Sequence, residues 1–405
     1  MYDAIVIGAR CAGAPTAMLL ARRGHKVLLV DRSKFPSDVL HSTLWIHQPG
    51  VQLLKDWGVL DRVIATGCPA IRAWHVGMGP LVFRGSPPPA EGGQVESYAP
   101  RRYLLDQILA DAAVQAGAEF RDEVTVEELV MDGDRVAGIR ARTGSAAPVT
   151  ERARLVIGAD GIHSRVAAHV AAPEYNVQEA RLSACYTYFS GVPMAEGAQA
   201  EIYVGVHRAV FGWVTNDGQV LFGINWQVHE LEELKRDLEG NFFTTIEALA
   251  PDLHRRLRAG KREGDFITGR LPRCFFRKPY GPGWALVGDA GAAYEYSTAQ
   301  GITNALRQAQ LAADAIDEGL AGRRPIEDAL ADFERLRNEI EQPYYDFTYH
   351  QGTFQPPDPN ALPLFAAVSR SPRATSGFFG LFSQTTSPAA FFAPEHLASI
   401  ASGEG

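Results

Sequence analysis

Apolar runs and polar stops alternate at the start of the chain. Ala4-Ile5-Val6-Ile7 is a short apolar run that ends at Gly8. An unbroken run of this length predicts a strand buried on both faces. Residues 12–23 read as a helix, and Gly24 marks its C-terminal stop. A second apolar run follows from Lys26 and is closed by an acid, Asp31. Together these segments predict one βαβ unit of about 30 residues.

The same buried-strand pattern returns twice. Leu155-Val156-Ile157 ends in Gly158-Ala159-Asp160-Gly161, and Ala285-Leu286-Val287 ends in Gly288-Asp289. Ahead of both, residues 103–116 predict a helix with Leu105, Ile108, Leu109 and Ala112 on one face. Residues 124–130 and 135–140 predict strands around an Asp132-Gly133-Asp134 turn. Residues 79–97 are rich in Pro and Gly and predict a surface loop. From 183 to 230 the texture changes: Tyr186, Tyr188, Tyr203, Trp213, Phe222 and Trp226 alternate with other residues, and Asn216-Asp217-Gly218 is a hairpin turn. An antiparallel sheet beside the nucleotide unit is expected there. A helix is predicted over 300–318 and another from Pro325, a favoured first helical position. Beyond about residue 345 the chain mixes Pro, Ser and Phe, which predicts a cap or loop-rich tail. There are no internal repeats.

Size and charge narrow the classes. A chain of 405 residues implies two domains or one large α/β unit with an inserted layer. A net charge of −8 argues against broad nucleic-acid binding, which needs a basic face. Cys11, Cys68, Cys185 and Cys274 are scattered, with no metal-ligand spacing, so reduced thiols and no metal are expected. Met1 runs straight into a strand, and no apolar stretch reaches about 18 residues, so neither a secretory signal nor a membrane span is expected. The expected location is cytoplasmic, as a monomer or homodimer.

Gly8-Ala9-Arg10-Cys11-Ala12-Gly13 stands where a dinucleotide-binding GxGxxG belongs. The first Gly permits the tight turn and the last lets the helix pack on the strand. Asp31, about 20 residues on, is placed to accept bonds from a ribose hydroxyl. The helix N-terminus offers N–H groups and partial positive charge to a pyrophosphate. Arg10 replaces the middle Gly, either adding a guanidinium to the phosphates or pointing to solvent. This unit alone leaves NAD and FAD open. Asp160 and Asp289, both at strand carboxyl ends, point to a long, two-ended cofactor. Arg102 opens a helix and is placed to reach the phosphates or the Asp160 loop.

With these motifs the chain resembles the p-hydroxybenzoate-hydroxylase-like FAD-dependent monooxygenases, in the branch shared with geranylgeranyl reductases and flavin-dependent halogenases. The resemblance rests on the Gly-rich turn with Asp31, on Asp160-Gly161 with Ser164 and Arg165, on Gly288-Asp289 with Gln300-Gly301-Ile302, and on Arg102-x-x-Leu105-Asp106-x-x-Leu109. It covers residues 1 to about 320. It implies an α/β fold: a Rossmann-type FAD-binding domain, an interleaved antiparallel-sheet substrate domain and a helical C-terminal region. The FAD-binding domain is expected in three pieces, 1–75, 99–180 and 269–322. The substrate domain takes a loop at 76–98 and the sheet at 181–268, and 323–405 form the C-terminal helices and cap. The resemblance also implies FAD contacts from Gly8, Arg10, Ala12, Gly13, Asp31, Arg32, Arg102, Val124, Asp160, Gly288, Asp289, Gln300, Gly301 and Ile302.

The activity so implied is monooxygenation: NAD(P)H binds transiently, and a flavin C4a-hydroperoxide delivers oxygen from O2 to an aromatic or polyketide-like hydrophobic molecule. Tyr186, Tyr188, Tyr203, Trp213 and Trp226 are the candidate substrate walls. The family's Ala-Ala-His and Pro near the flavin are replaced here by Ala290-Gly291-Ala292-Ala293-Tyr294-Glu295-Tyr296-Ser297, and its Asn after Gly-Ile by Thr303. Tyr294, Glu295 and Tyr296 in this rebuilt loop, and His41 after the second strand, are the catalytic candidates. Two alternatives stay open: a C=C reductase of the geranylgeranyl-reductase type, and a non-catalytic flavin-binding or flavin-less protein. Phe211-Gly212-Trp213-Val214 resembles the reductases' Gly-Trp strand but lacks the following Phe-Pro. The WxWxIP motif of tryptophan halogenases is absent.

Overall fold

In the computed structural model, β1 (Tyr2–Ile7) leads through the Gly-rich turn into α1 (Gly13–Arg22), in which every residue but the last is buried. β2 (Val27–Val30) completes the βαβ unit. Residues 1–356 and 358–403 are described. After α2 (Gln48–Asp56) the chain leaves for a hairpin, β3 (Trp74–Met78) and β4 (Leu81–Gly85). It returns through α3 (Arg102–Gln115) to β5 (Glu119–Arg121). An antiparallel meander follows: β6 (Val124–Asp132), β7 (Arg135–Thr143) and β8 (Val149–Gly158). The apolar second half of β8 pairs parallel with β1, and after α4 (Arg165–His169) the chain enters the second sheet.

That sheet contains β9 (Leu182–Ser190), β10 (Ala200–Gly205), β11 (Arg208–Val214) and β12 (Gln219–Gln227). The predicted hairpin turn at Asn216–Gly218 joins β11 to β12. α5 (Leu238–Leu249) covers one face. β13 (Trp284–Leu286) returns to the first sheet, and α6 (Gly301–Leu320) and α7 (Ile326–Gln351) pack beside it. The tail adds α8 (Leu362–Arg370), α9 (Pro372–Ser383), α10 (Pro388–Phe391) and α11 (Pro394–Ser402).

The parallel part of the first sheet runs β13–β8–β1–β2–β5. Its apolar strands are buried because α1, α3 and α6 cover one face and the meander covers the other. Ile7 lies opposite both Gly158 and Val30, and Gly158 opposite Leu286. The motifs after β1, β2, β8 and β13 therefore leave the sheet at one edge. The strand order also reverses about β1, where open α/β sheets bind ligands.

The second sheet runs β9–β12–β11–β10–β3–β4. The segment read as a 79–97 loop thus contains a strand, β4. Phe83 is buried while Val82 is exposed, the alternation of a half-buried strand, and the Pro and Gly around it concealed the signal. The tail is also more regular than its composition suggested. Pro363, Pro372, Pro388 and Pro394 each sit in the first turn of a helix, where a missing N–H costs nothing. Ser371 and Ser387 cap two of these helices.

Candidate cofactor and substrate site

Backbone approach at the strand ends is closer than a side chain allows. Gly8 has φ 101°, and a Cβ there would lie 2.3 Å from the Ala159 carbonyl oxygen. At Gly13 a Cβ would meet the Gly8 carbonyl oxygen at 1.8 Å and the Ala159 Cβ at 2.9 Å. Glycine at both positions lets α1 start against the ends of β1 and β8.

The acids at this edge divide into two kinds. Asp31 accepts from the backbone N–H of Ala9 and of Ser33, both at 2.8 Å, and pins the Gly-rich turn to the end of β2. Asp160 accepts from the Ser164 hydroxyl at 2.6 Å and from the Arg165 N–H at 2.7 Å, and so organises the start of α4. Asp289 makes no hydrogen bond among the described residues. The residue is exposed at this edge. Burial raises its pKa to about 6, opposed by the charge of Arg102. A carboxylate at the strand-end edge with no protein donor is an acceptor without a donor, as a ribityl or ribose hydroxyl requires.

Arg102 is buried at the first position of α3. It bonds Asp106 at 3.0 Å and the Ser42 hydroxyl at 3.3 Å. Arg10 neither points to solvent nor stands free: it bonds Asp106 at 2.7 Å and the Ser37 hydroxyl at 2.9 Å. The residue replacing the middle Gly therefore ties the turn to α3. Gly301, at the start of the 20-residue α6, is exposed, and nothing lies within 4 Å of where its Cβ would be. Ala12, Gly288, Gln300 and Ile302 are buried around these ends. Arg32 is exposed, and Val124 is buried with its N–H on the Asp31 carbonyl at 2.8 Å.

A cavity of about 190 Å³ lies between the second sheet and the tail. Trp74, Phe211 and Trp213 form its floor, and Phe365, Phe378, Phe379 and Phe382 of α8 and α9 its roof. Tyr296 to Ala299, the residues just before α6, form its inner wall together with Trp45 and His47. The roof is thus supplied by the tail, whose aromatic residues bury each other across it.

Residues 1–215 match the FAD binding domain family. The chain belongs to that family. It is an FAD-dependent oxidoreductase of the p-hydroxybenzoate-hydroxylase-like group. The digeranylgeranylglycerophospholipid reductase of Methanosarcina acetivorans is 26% identical over 330 residues, which is 79% of this chain and 76% of that one. In fold, the flavin-dependent brominase Bmp2 matches with a TM-score of 0.80 at 18% identity, over 99% of this chain and 97% of that one. PqsL of Pseudomonas aeruginosa, described as a probable FAD-dependent monooxygenase, matches with a TM-score of 0.74 at 19% identity, over 93% and 99%.

The strand-end geometry of this flavoprotein fits FAD. Close backbone approach at Gly8 and Gly13, two helix N-termini and the unpaired Asp289 suit a pyrophosphate and a polyhydroxy chain. The side chain of Gln48, next to His47 at the start of α2, is also buried with neither amide atom paired.

The rebuilt loop separates its three candidates. Tyr294 bonds Glu341 of α7, away from the cavity. Glu295 is buried and accepts from the N–H groups of Arg181 at 2.7 Å, Tyr296 at 3.0 Å and Leu182 at 3.3 Å, so it anchors the start of β9. Burial raises its pKa and these backbone bonds oppose the rise. Tyr296 alone borders the cavity, and its hydroxyl is buried without a partner. His41 is exposed and packs on Gly269, away from the cavity lining.

Of the five aromatic wall candidates, only Trp213 borders the cavity. Tyr186 bonds the Leu40 carbonyl, and Tyr188 lies under the Arg101 guanidinium at 3.9 Å. Tyr203 and Trp226 face the opposite side of the sheet, bonded to Glu201 and Thr245. Alternation along strands put some aromatics on each face, and the sequence did not say which face was inside. Trp45, His47 and Trp74 also border the cavity and were not among the sequence candidates. The i, i+2 spacing of Trp45 and His47 around the buried Ile46 was the available signal for an extended, two-sided segment.

The four cysteines are unpaired and buried. Among the described residues no helix is long and apolar enough to cross a membrane, and no cluster of His, Cys, Asp and Glu is placed to hold a metal.

Proposed function

We propose that the protein is an NAD(P)H-using monooxygenase that places one atom of O2 on a hydrophobic, aromatic small molecule. The observation that carries this is the aromatic cavity whose inner wall, Tyr296 to Ala299, runs directly into the exposed start of α6 at Gly301. FAD, when bound, would supply the two-electron redox chemistry. Gly8, Gly13, Asp31, Arg102 and Asp289 would hold it, and the turn at Asp160 shapes the neighbouring edge. The aromatic walls hold a flat substrate by area and ring contacts and keep bulk water out. The balance is one substrate C–H, O2, NAD(P)H and a proton giving C–OH, water and NAD(P)⁺. The test is oxygen uptake by FAD-loaded protein with NADPH, with and without an aromatic hydroxyl compound such as 2-naphthol. Stimulated uptake with a hydroxylated product supports the reading. Oxygen uptake that yields only hydrogen peroxide, whatever the aromatic compound, refutes it.

A second reading is reduction of a C=C bond. The 26% identity to a digeranylgeranylglycerophospholipid reductase and the apolar cavity favour it. It predicts a product two hydrogens heavier, formed without oxygen.

A further inference from the structure

The roof of the cavity belongs to one stretch, α8 to α11, which is attached differently from the rest of the chain. The segment just before it is pinned to the second sheet. Gln227 donates from Nε2 to the Gly352 and Thr353 carbonyls at 3.2 and 3.3 Å, and the His207 N–H donates to the Phe354 carbonyl at 2.9 Å. Beyond that anchor, among the described residues, no backbone hydrogen bond joins α8–α11 to either sheet. Val368, Phe379, Leu381, Phe391 and Ile400 are buried, yet they pack in the cluster around the cavity and not in the core of the first sheet or under α5.

Polar fastening is concentrated where α9 ends. Gln384 follows α9 at φ 63°, and its Nε2 donates to Asn304 Oδ1 at 2.8 Å. Its Oε1 accepts from Arg307 at 2.6 Å, and Arg307 also donates to Asn304 at 3.1 Å. Gln300 donates to the Phe382 carbonyl at 3.0 Å, and the Tyr344 hydroxyl to the Thr386 carbonyl at 3.3 Å. Gln300, Asn304 and Arg307 stand on the first turns of α6, so the end of α9 is tied to one short stretch of the body. Gln300, Asn304 and Gln384 are buried, which shields these bonds from water. Ring contacts hold the roof as well. Phe379 meets Trp74 at 5.2 Å, Phe378 meets Phe83 at 5.4 Å and Phe382 meets Phe347 at 5.3 Å. All six rings line the cavity, so an apolar ligand entering there replaces these contacts with its own.

The cavity holds about 190 Å³, against roughly 300–1,000 Å³ for sites that enclose a drug-sized ligand. A ligand of that size enters only if the roof lifts. We infer that α8–α11 form a lid over the cavity, pivoting on the anchor at Phe354 and latched to the start of α6 through Gln384. Opening breaks the bonds of Gln384, Gln300 and Tyr344 together with the ring contacts, and it leaves both sheets intact. The lid then closes on an apolar ligand, whose surface supplies the contacts that opening removed. Gln384, Asn304 and Arg307 are positioning residues, because they act on the roof and touch no reacting atom. The inference rests on the cavity being the ligand site, as proposed above, and not on the reaction carried out there.

Hydrogen–deuterium exchange of the FAD-loaded full chain, read by mass spectrometry, tests it. The amides of α9 should be at least about tenfold less protected than those of α1 and β1, because the lid opens without global unfolding. Gln384→Gly removes the latch side chain and suits the left-handed backbone at that position. It should lower the protection of α9 by a further factor of roughly ten, the value of one buried hydrogen bond, while α1 and β1 keep theirs and FAD stays bound. Stopped-flow quenching of tryptophan fluorescence by 4-nitrotoluene, an apolar aromatic probe, follows entry past Trp45, Trp74 and Trp213. The entry rate should rise in Gln384→Gly by the same factor as the exchange. If that variant does not fold, Tyr344→Phe, which removes one latch bond, should speed exchange and entry several-fold. Protection of α9 equal to that of α1, unchanged protection in the latch variant, or faster exchange without faster entry overturns the inference. A lid that opens in a protein without aromatic-dependent oxygen uptake leaves this inference standing and removes the monooxygenase reading. Such uptake in a protein whose α9 is protected like α1 does the reverse.

Discussion

Substituting Asp289 probes the cofactor end of the site, because its carboxylate is the one strand-end acid with no protein hydrogen bond among the described residues. In the protein without FAD, burial lifts its pKa from 3.8 to about 6, and the charge of Arg102 limits the rise. The folded pKa lies above the unfolded one. This carboxyl therefore stabilises the apoprotein fully below about 3.8, and that contribution is lost as pH rises through about 6. Hydroxyl donors on FAD bind the ionised form, so FAD affinity should rise with pH up to about 6 and level off above it. A charge-assisted bond to such a carboxylate is worth about 1.5–3 kcal/mol. Asp289→Ala should then weaken FAD binding roughly 10- to 150-fold at pH 7. Asp289→Asn keeps the shape and a neutral acceptor, so it should lose roughly half that free energy and all of the pH dependence. The assay is fluorescence titration of apoprotein with FAD at pH 5, 6, 7 and 8. If Asp289→Asn and the unaltered protein show the same affinity and the same pH profile, Asp289 is not a cofactor ligand and the reasoning fails.

Other residues give sharper structural contrasts. Gly13→Ala forces a methyl group to 1.8 Å from the Gly8 carbonyl oxygen, so α1 must shift from the strand end. A loss of about 1–3 kcal/mol in stability together with bound flavin is expected, and unchanged Tm and flavin content would count against the described contact. Glu295→Ala leaves the N–H groups of Arg181, Leu182 and Tyr296 without their acceptor. It should cost about 2–3 kcal/mol, seen as a lower Tm, while FAD affinity stays within about twofold. Normal Tm with abolished turnover would return Glu295 to the chemistry. Tyr296→Phe deletes a buried hydroxyl that has no partner, so Tm should hold or rise while kcat/KM for an accepted aromatic substrate falls about tenfold. Unchanged kcat/KM would reduce Tyr296 to packing.

The cluster of strand-end motifs at one edge was legible in the sequence because its signals are local. Gly8, Gly13 and Asp31 sit within one βαβ unit, and Asp160 and Asp289 each follow an apolar run that can only be a buried strand. Register between strands then brings them to one edge, which follows from parallel pairing. The cavity was not legible, because its walls come from distant segments: Trp45, Trp74, Phe211, Tyr296 and Phe379 meet only in the folded chain. Tyr203 and Trp226 show the limit of alternation, since a period of two separates faces without saying which one is inside. Tyr294 and Glu295 were singled out by departure from a family pattern. Their roles depended on partners at Glu341, Arg181 and Leu182 that no local rule supplies.

The central claim, oxygen insertion into an aromatic ligand at a flavin, is tested most directly by turnover under ¹⁸O2 with NADPH and a fused-ring phenol, with the product read by mass spectrometry. The expected product carries one ¹⁸O atom, formed with NADPH oxidation and absent under anaerobic conditions. A product that gains two hydrogens and no label, formed equally well without oxygen, would contradict it and assign the cavity to a reductase.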